Sequence, residues 1–396
     1  MLHDASDERL EASRARAPGG PERGAGPAGD AYDAGRDGVR AGGGARDRDR
    51  GTKRDGRPGP SASKPIALST IFLVAVTLVA LAVGRYNVPL WHVVQILVGQ
   101  VVPVTSEATA TEGNVVLLVR LPRVLLALLV GGGLAIGGAA LQAIFHNPLV
   151  SPDIIGVSAG ASFGGALAIL LGLGTFALIT SSFAFGLIAL AMLFLITSGR
   201  GGTPLLMIVL GGVVTGSFFS ALVALVTYIA DPNTTLPAIV FWLLGSVATA
   251  TFAKVLVALI PVVGGALVLL ALRWRINVLS LGDDDATALG IRPRPLRWVV
   301  LVSVALIVAG AVAVSGAVSW VGLVVPHLAR MWVGPDHRVL LPVSFLLGGA
   351  YIMLVDTVAR TLTAGEIPLG VLTALIGAPV FFVLLRRNRD RIWENA

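Results

Sequence analysis

The chain has 396 residues, 55% hydrophobic and only 13% charged, with a formal net charge of +7 and a mean hydropathy of +0.82. Soluble domains carry about 25% charged residues, so most of this surface faces lipid or other helices rather than water. There is no Cys, which excludes disulfides, Cys-ligated zinc, iron–sulfur clusters and thiol nucleophiles.

Residues 1–64 hold 13 of the 30 basic and 11 of the 23 acidic residues. They are rich in Gly, Arg, Asp, Ala and Pro, with runs such as Gly42-Gly43-Gly44 and Arg46-Asp47-Arg48-Asp49-Arg50. Few apolar side chains are available to offset ordering entropy, so a disordered cytoplasmic tail is expected. Charges of both signs alternate, so the tail is not a polybasic lipid anchor. The first apolar run begins only after this tail, too late for a signal peptide.

From Pro65 onward, apolar runs recur with the length of about 20 residues that a bilayer demands. They fall at 66–84, 121–144, 153–171, 175–197, 204–229, 249–272, 297–317, 319–333, 339–359 and 369–385. The eighth is short and Pro326 is expected to interrupt it. The sequence therefore predicts an all-α polytopic membrane protein with ten spans, in a transmembrane domain covering 65–396. With the tail placed inside, cytoplasmic segments carry Arg200, Arg273, Arg275, Arg292, Arg294, Arg297, Arg330, Arg338, Arg386, Arg387, Arg389 and Arg391. Outer segments carry Arg85, Arg120, Arg123, Arg360 and Lys254. This asymmetry satisfies the positive-inside rule with both termini cytoplasmic. It also explains the net charge without nucleic acid, for which no motif is present. Trp274, Trp298, Trp320 and Trp332 fall at span ends, where interfacial aromatics belong. Small residues fill the spans, as close helix packing in lipid requires. Gly201-Gly202-Thr203-Pro204-Leu205 opens the fifth span and Gly365-Glu366-Ile367-Pro368-Leu369 the tenth. Arg120-Leu121-Pro122-Arg123 precedes the second and Arg294-Pro295-Leu296-Arg297 the seventh. A five-span offset inverts topology, so spans 2–5 and 7–10 form an expected inverted repeat.

No phosphate-cradling motif exists, because Lys53, Lys64 and Lys254 all lack a preceding Gly. If ATP drives this protein, another polypeptide hydrolyses it. Ion-driven transport uses ionisable residues inside the membrane, yet Asp153, Asp231, Asp285 and Glu366 sit at span ends or in loops. Asp356 is the exception, and its i, i+4 relation to Arg360 reads as a helix-face ion pair. An ion-driven carrier and a structural membrane subunit of an enzyme complex are the rival classes; sparse intramembrane charge counts against both.

Two constellations remain. In the loop running from Leu279 to Gly290, Gly282 permits a turn and Asp283, Asp284 and Asp285 suit a helix N-terminus. Ala286 and Leu289 follow, and Gly290 ends a helix of about two turns. A capped loop helix and a lever that fits a groove on a cytoplasmic partner are equally compatible with these residues. At the outer side stand Arg120, Arg123 and Arg360, either as interface anchors or as complements to an acidic extracellular partner.

Several blocks, in order, resemble the iron-siderophore and vitamin B12 permeases of ATP-binding cassette importers. They are Arg120-Leu121-Pro122-Arg123; Gln142 through Asn147-Pro148-Leu149 and Pro152 to Ala161; and Phe241-Trp242-Leu243-Leu244-Gly245-Ser246. Further on come Leu279 to Gly290, Gly322 to Arg330, Gly334-Pro335-Asp336-His337-Arg338, and Asp356 through Pro368-Leu369-Gly370 to Phe381. The resemblance covers about Arg120 to Leu385. It implies a permease of the bacterial cytoplasmic membrane, with ten helices per subunit and two permease subunits, identical or paralogous. It also implies a cytoplasmic ATPase dimer and an extracytoplasmic substrate-binding protein. Arg120, Arg123 and Arg360 then receive acidic residues of the binding protein. The segment Leu281, Gly282, Asp283, Asp284, Asp285, Ala286, Leu289 and Gly290 docks on the ATPase, and the fifth and tenth helices line the pathway. The implied cargo is a ferric siderophore, with cobalamin or haem as alternatives. No catalytic residue, cofactor or metal ligand is implied. His146, His327 and His337 are dispersed, and iron travels already wrapped in its chelator.

Overall fold

The computed structural model describes residues 63–103, 107–198, 205–363 and 365–387, all within one compact unit, Pro58–Ala396. The expected tail lies almost wholly outside the described residues, as do Gly201 to Pro204, Arg200, Arg389 and Arg391. In chain order the elements are α1 (Ser63–Ala82), α2 (Leu90–Val98), α3 (Ala110–Asn114) and a π-helical segment (Val115–Arg120) that runs into α4 (Leu121–Ile144). A 3-10 turn (Pro152–Ile155) leads to α5 (Val157–Leu170), α6 (Thr175–Thr197), α7 (Leu205–Ile229), α8 (Thr235–Leu243) and α9 (Phe252–Ala271). The chain continues through α10 (Arg273–Leu279), α11 (Asp283–Ala288), α12 (Pro293–Ser315), α13 (Val321–Val333), α14 (His337–Leu362) and α15 (Leu369–Arg387).

Seven described helices are long and apolar enough to cross a membrane, and three shorter apolar ones accompany them. All ten expected spans are therefore helices. Only helices that satisfy their own backbone survive in hydrocarbon, and helices apolar all round belong in lipid or a core. Two expectations need correction. The third span is not continuous: it breaks at Gly156, whose φ of 76° is left-handed, leaving α5 at 14 residues. That is about 21 Å, short of a hydrocarbon core of about 30 Å. The eighth span is not interrupted, because Pro326 sits inside the continuous helix α13.

The inverted repeat is visible in element lengths. Helices α4, α5, α6 and α7 have 24, 14, 23 and 25 residues. Helices α12, α13, α14 and α15 have 23, 13, 26 and 19. Each short helix follows a left-handed residue, Gly156 or Trp320. The packing is also reciprocal: α4 packs on α14, and α12 packs on α6. Helix α4 is the most enclosed, and its glycines explain how. A Cβ on Gly131 would sit 2.2 Å from the Gly348 carbonyl oxygen, and one on Gly138 would sit 1.8 Å from that of Gly322. Backbones in direct contact maximise dispersion where lipid offers no hydrophobic drive.

Candidate functional site

The three arginines collect at one end of the bundle, but none presents a free guanidinium. Arg120, Arg123 and Arg360 are only 4%, 7% and 7% exposed. Arg120 donates through Nη1 to the carbonyls of Leu81 at 2.6 Å and Ala82 at 2.9 Å, and through Nη2 to that of Tyr86. Arg360 donates to the Ala80 carbonyl. A helix leaves its last four carbonyls without intrahelical donors. In α1 every one is supplied: Val79 by the Val83 amide, Ala80 by Arg360, Leu81 by Arg120, and Ala82 by Arg120 and the Val88 amide. Positive charge at this end also opposes the helix dipole. Arg120 and Arg360 thus form a buried clamp on the end of α1.

Arg123 is held differently. Its Nε and Nη2 donate to Asp356 at 2.7–2.9 Å, and Nη1 and Nη2 donate to Glu366 at 3.1 and 2.8 Å. Asp356 does face Arg360 one turn on, but at 3.7 Å; its closer partner is Arg123. A buried ion pair persists only when paired and hydrogen-bonded on both sides, and this one joins α4, α14 and the loop before α15. The hydrogen bonds from Arg123 hold the Glu366 carboxyl below its ordinary range. Glu366 keeps 26% of its side chain exposed, so it is the accessible edge of the cluster.

The loop helix α11 lies at the opposite end. Gly282 (φ 133°) opens it and Gly290 (φ 78°) closes it. The Ile291 amide donates to the Ala286 carbonyl and the Gly290 amide to that of Thr287, both at 2.9 Å, which is the Schellman ending. Asp283 pairs with Arg297 of α12 and Ala286 is fully buried; these two fasten α11 to the bundle. Asp284 and Asp285 are exposed, and Leu281 and Leu289 are 65% and 59% exposed. All three carboxylates are exposed, but Asp283 is tied to the buried Arg297 while keeping 48% of its side chain exposed, so the run splits into one anchored charge and two others.

Sequence reasoning missed what holds the segment just before this helix. His146, directly after α4, donates from Nε2 to the Leu279 carbonyl at 2.8 Å. The His337 amide and ring Nδ1, at the start of α14, reach Asn277 Oδ1 at 2.9 and 3.2 Å. Helix α10 is therefore tied to α4 and α14. Two histidines in separate loops gave no sequence signal, because their partners are a backbone carbonyl and an amide. Among the described residues no three His, Asp or Glu side chains cluster as a metal site.

A third feature lies along α7. At the break before α5, a cavity of about 370 Å³ is lined by Asp153, Ser158, Ser162, Gly216, Ser220 and Val223. Helix α7 itself leaves Leu206, Leu210, Val213, Val214 and Phe218 exposed. Asp153, expected merely at a span end, thus lines a hydroxyl-rich recess. The spacing of Ser158 and Ser162, one helical turn apart, was the available signal.

The comparisons agree with this architecture. The model of the FecCD transport family matches residues 72–387. The molybdate import system permease protein MolB of Haemophilus influenzae is 46% identical over 316 residues, 80% of this chain and 93% of its own length. The cobalamin import system permease protein BtuC of Halobacterium salinarum is 38% identical over 339 residues, 83% of this chain and 91% of its own. A solved metal-chelate type ABC transporter in an inward-facing conformation superposes with a TM-score of 0.74 at 45% identity, covering 82% of this chain and 99% of that one. The chain is an ABC transporter permease and belongs to the FecCD transport family.

Proposed function

We propose that this chain is one of two permease subunits in an ATP-driven importer, with α11 docking on a cytoplasmic ATPase and cargo entering at the arginine end. The observation that carries this is α11. It is braced by Asp283 and Ala286 yet offers Leu281, Leu289 and two carboxylates to a partner. Arg273, Arg275, Arg292 and Arg294 are exposed around it, which supports a cytoplasmic placement for this end and for both termini. A binding protein then meets the arginine end. Its acidic residue reaches Arg123 by displacing Glu366, the exposed member of the cluster. Replacing Glu366 with Gln removes the competing charge, so affinity for the binding protein rises; unchanged affinity would remove Arg123 from docking. The exposed face of α7 meets the second permease subunit, and α15 shares the pathway.

The cargo we propose is a ferric siderophore, in keeping with the motif series and with the metal-chelate type of the solved neighbour. Molybdate is a second reading, favoured by the 46% identity to a permease named for it. Uptake should be compared in a strain lacking the chain and in the same strain with it restored. Radiolabelled ferric hydroxamate, ferric catecholate, haem, cobalamin and molybdate go side by side. Restored uptake of a ferric chelate fixes the cargo; restoration by molybdate alone replaces it. Robust uptake without any ATPase partner would overturn the importer reading.

A further inference from the structure

Beside α11 lies a groove that transport by itself does not require. It has a volume of about 440 Å³, and its lining includes Leu272, Trp274, Arg275, Leu289, Arg292 and Val299. Two kinds of wall meet there. Leu272, Leu296 and Val299 are apolar, and Val299 is 44% exposed on a helix long enough to cross the membrane. Arg275 and Arg292 are exposed. Among the described residues neither has an acidic partner within salt-bridge distance.

The depth of the groove follows from the chain. Helix α9 has 20 residues, about 30 Å, the thickness of a hydrocarbon core. Trp274 and Arg275 follow within four residues, in the first turn of α10. They stand where lipid headgroups begin, the level at which Trp is enriched and Arg meets phosphate. A soluble partner complements the exposed tip of α11, but it has no access to an apolar wall at membrane depth. A ligand with an anionic head and an acyl body fits both walls at once.

We propose that this groove binds an anionic phospholipid, its phosphate between Arg275 and Arg292 and its acyl chain along Val299 and Leu272. Because Leu289 also lines the groove, the bound lipid braces the end of α11. Lipid binding at this groove does not depend on which cargo is carried.

The test uses the full chain in nanodiscs of phosphatidylcholine alone or mixed with phosphatidylglycerol, with native mass spectrometry counting the lipid retained per chain. Each basic residue near an anionic surface contributes about fivefold in affinity. The double variant Arg275→Gln, Arg292→Gln should therefore retain phosphatidylglycerol about thirtyfold less tightly, with unchanged thermal unfolding. Arg275→Lys, Arg292→Lys should keep most of the preference. Equal retention by the Gln variant would overturn the proposal. So would displacement of phosphatidylglycerol by inorganic phosphate, which would make the groove a phosphate site. Release of the lipid on adding the ATPase partner would also overturn it and assign the groove to that protein.

Discussion

Arg123 is buried between two carboxylates, and removing either has a different consequence. Asp356 is itself buried, so Asp356→Ala leaves a guanidinium in a dry site with Glu366 alone. Breaking a buried pair costs about 3–5 kcal/mol, and we expect a clear fall in the thermal unfolding midpoint of the detergent-solubilised chain. An unchanged midpoint would mean that Arg123 reaches water. Glu366 titrates at the exposed edge. Its folded pKa is depressed below the ordinary 4.5. Its stabilising contribution is therefore complete above the unfolded value and is lost as pH falls through the folded one. Wild type should lose stability on acidification below about pH 4.5, and Glu366→Gln should flatten that limb; parallel curves would show no linkage. The sequence exposed the i, i+4 relation of Asp356 and Arg360. It did not expose the bond from Arg123, 233 residues away, because a long-range ion pair has no local signature.

At the scale of elements, apolar run length located all ten spans, because bilayer thickness fixes it. The short elements α2, α3, α8 and α10 were missed, since their patterns compete with those of loops. Small residues marked packing in general, but only contact geometry says which ones are indispensable. A Cβ at Gly138 would overlap the Gly322 carbonyl, whereas one at Gly264 of α9 meets nothing within 4 Å. Gly138→Ala should cost about 1–3 kcal/mol or more through displaced backbone. Gly264→Ala should be neutral or stabilising by up to about 1 kcal/mol. Melting temperatures of the two variants decide; equal values would show that α4 and α13 are not held backbone to backbone. The tether on α10 makes a kinetic prediction. His337→Ala removes both ring contact and packing against Asn277. The loss of one hydrogen bond, about 1 kcal/mol, should raise local opening and speed tryptic cleavage at Arg273 and Arg275 about fivefold. An unaltered cleavage rate would show that His337 does not restrain α10.

For the whole molecule, the apolar face of α7 is the largest commitment. Val214 lies in mid-helix and is exposed, and the chain has no Cys. Val214→Cys therefore reports alone. Oxidation in native membranes should yield a disulfide-linked species of twice the chain's mass if the two permeases are identical copies. A monomer under every oxidising condition, in the absence of a paralogue, would place this face toward lipid.

The sequence by itself determined the class of the protein, the number of its apolar runs and their approximate places, and the lack of a Gly-Lys-Ser/Thr phosphate-loop motif. These depend on composition and on periodicities read within one bilayer crossing. It also placed Gly282 and Gly290 correctly at the two ends of α11, because turn and cap chemistry is local. Only the tertiary structure decided that the three arginines are occupied, that Asp283 is the carboxylate of its run that pairs with Arg297, and that the third span breaks at Gly156. Those outcomes depend on which carbonyls and carboxylates the two inverted halves bring together, and that pairing is set by helices meeting through space.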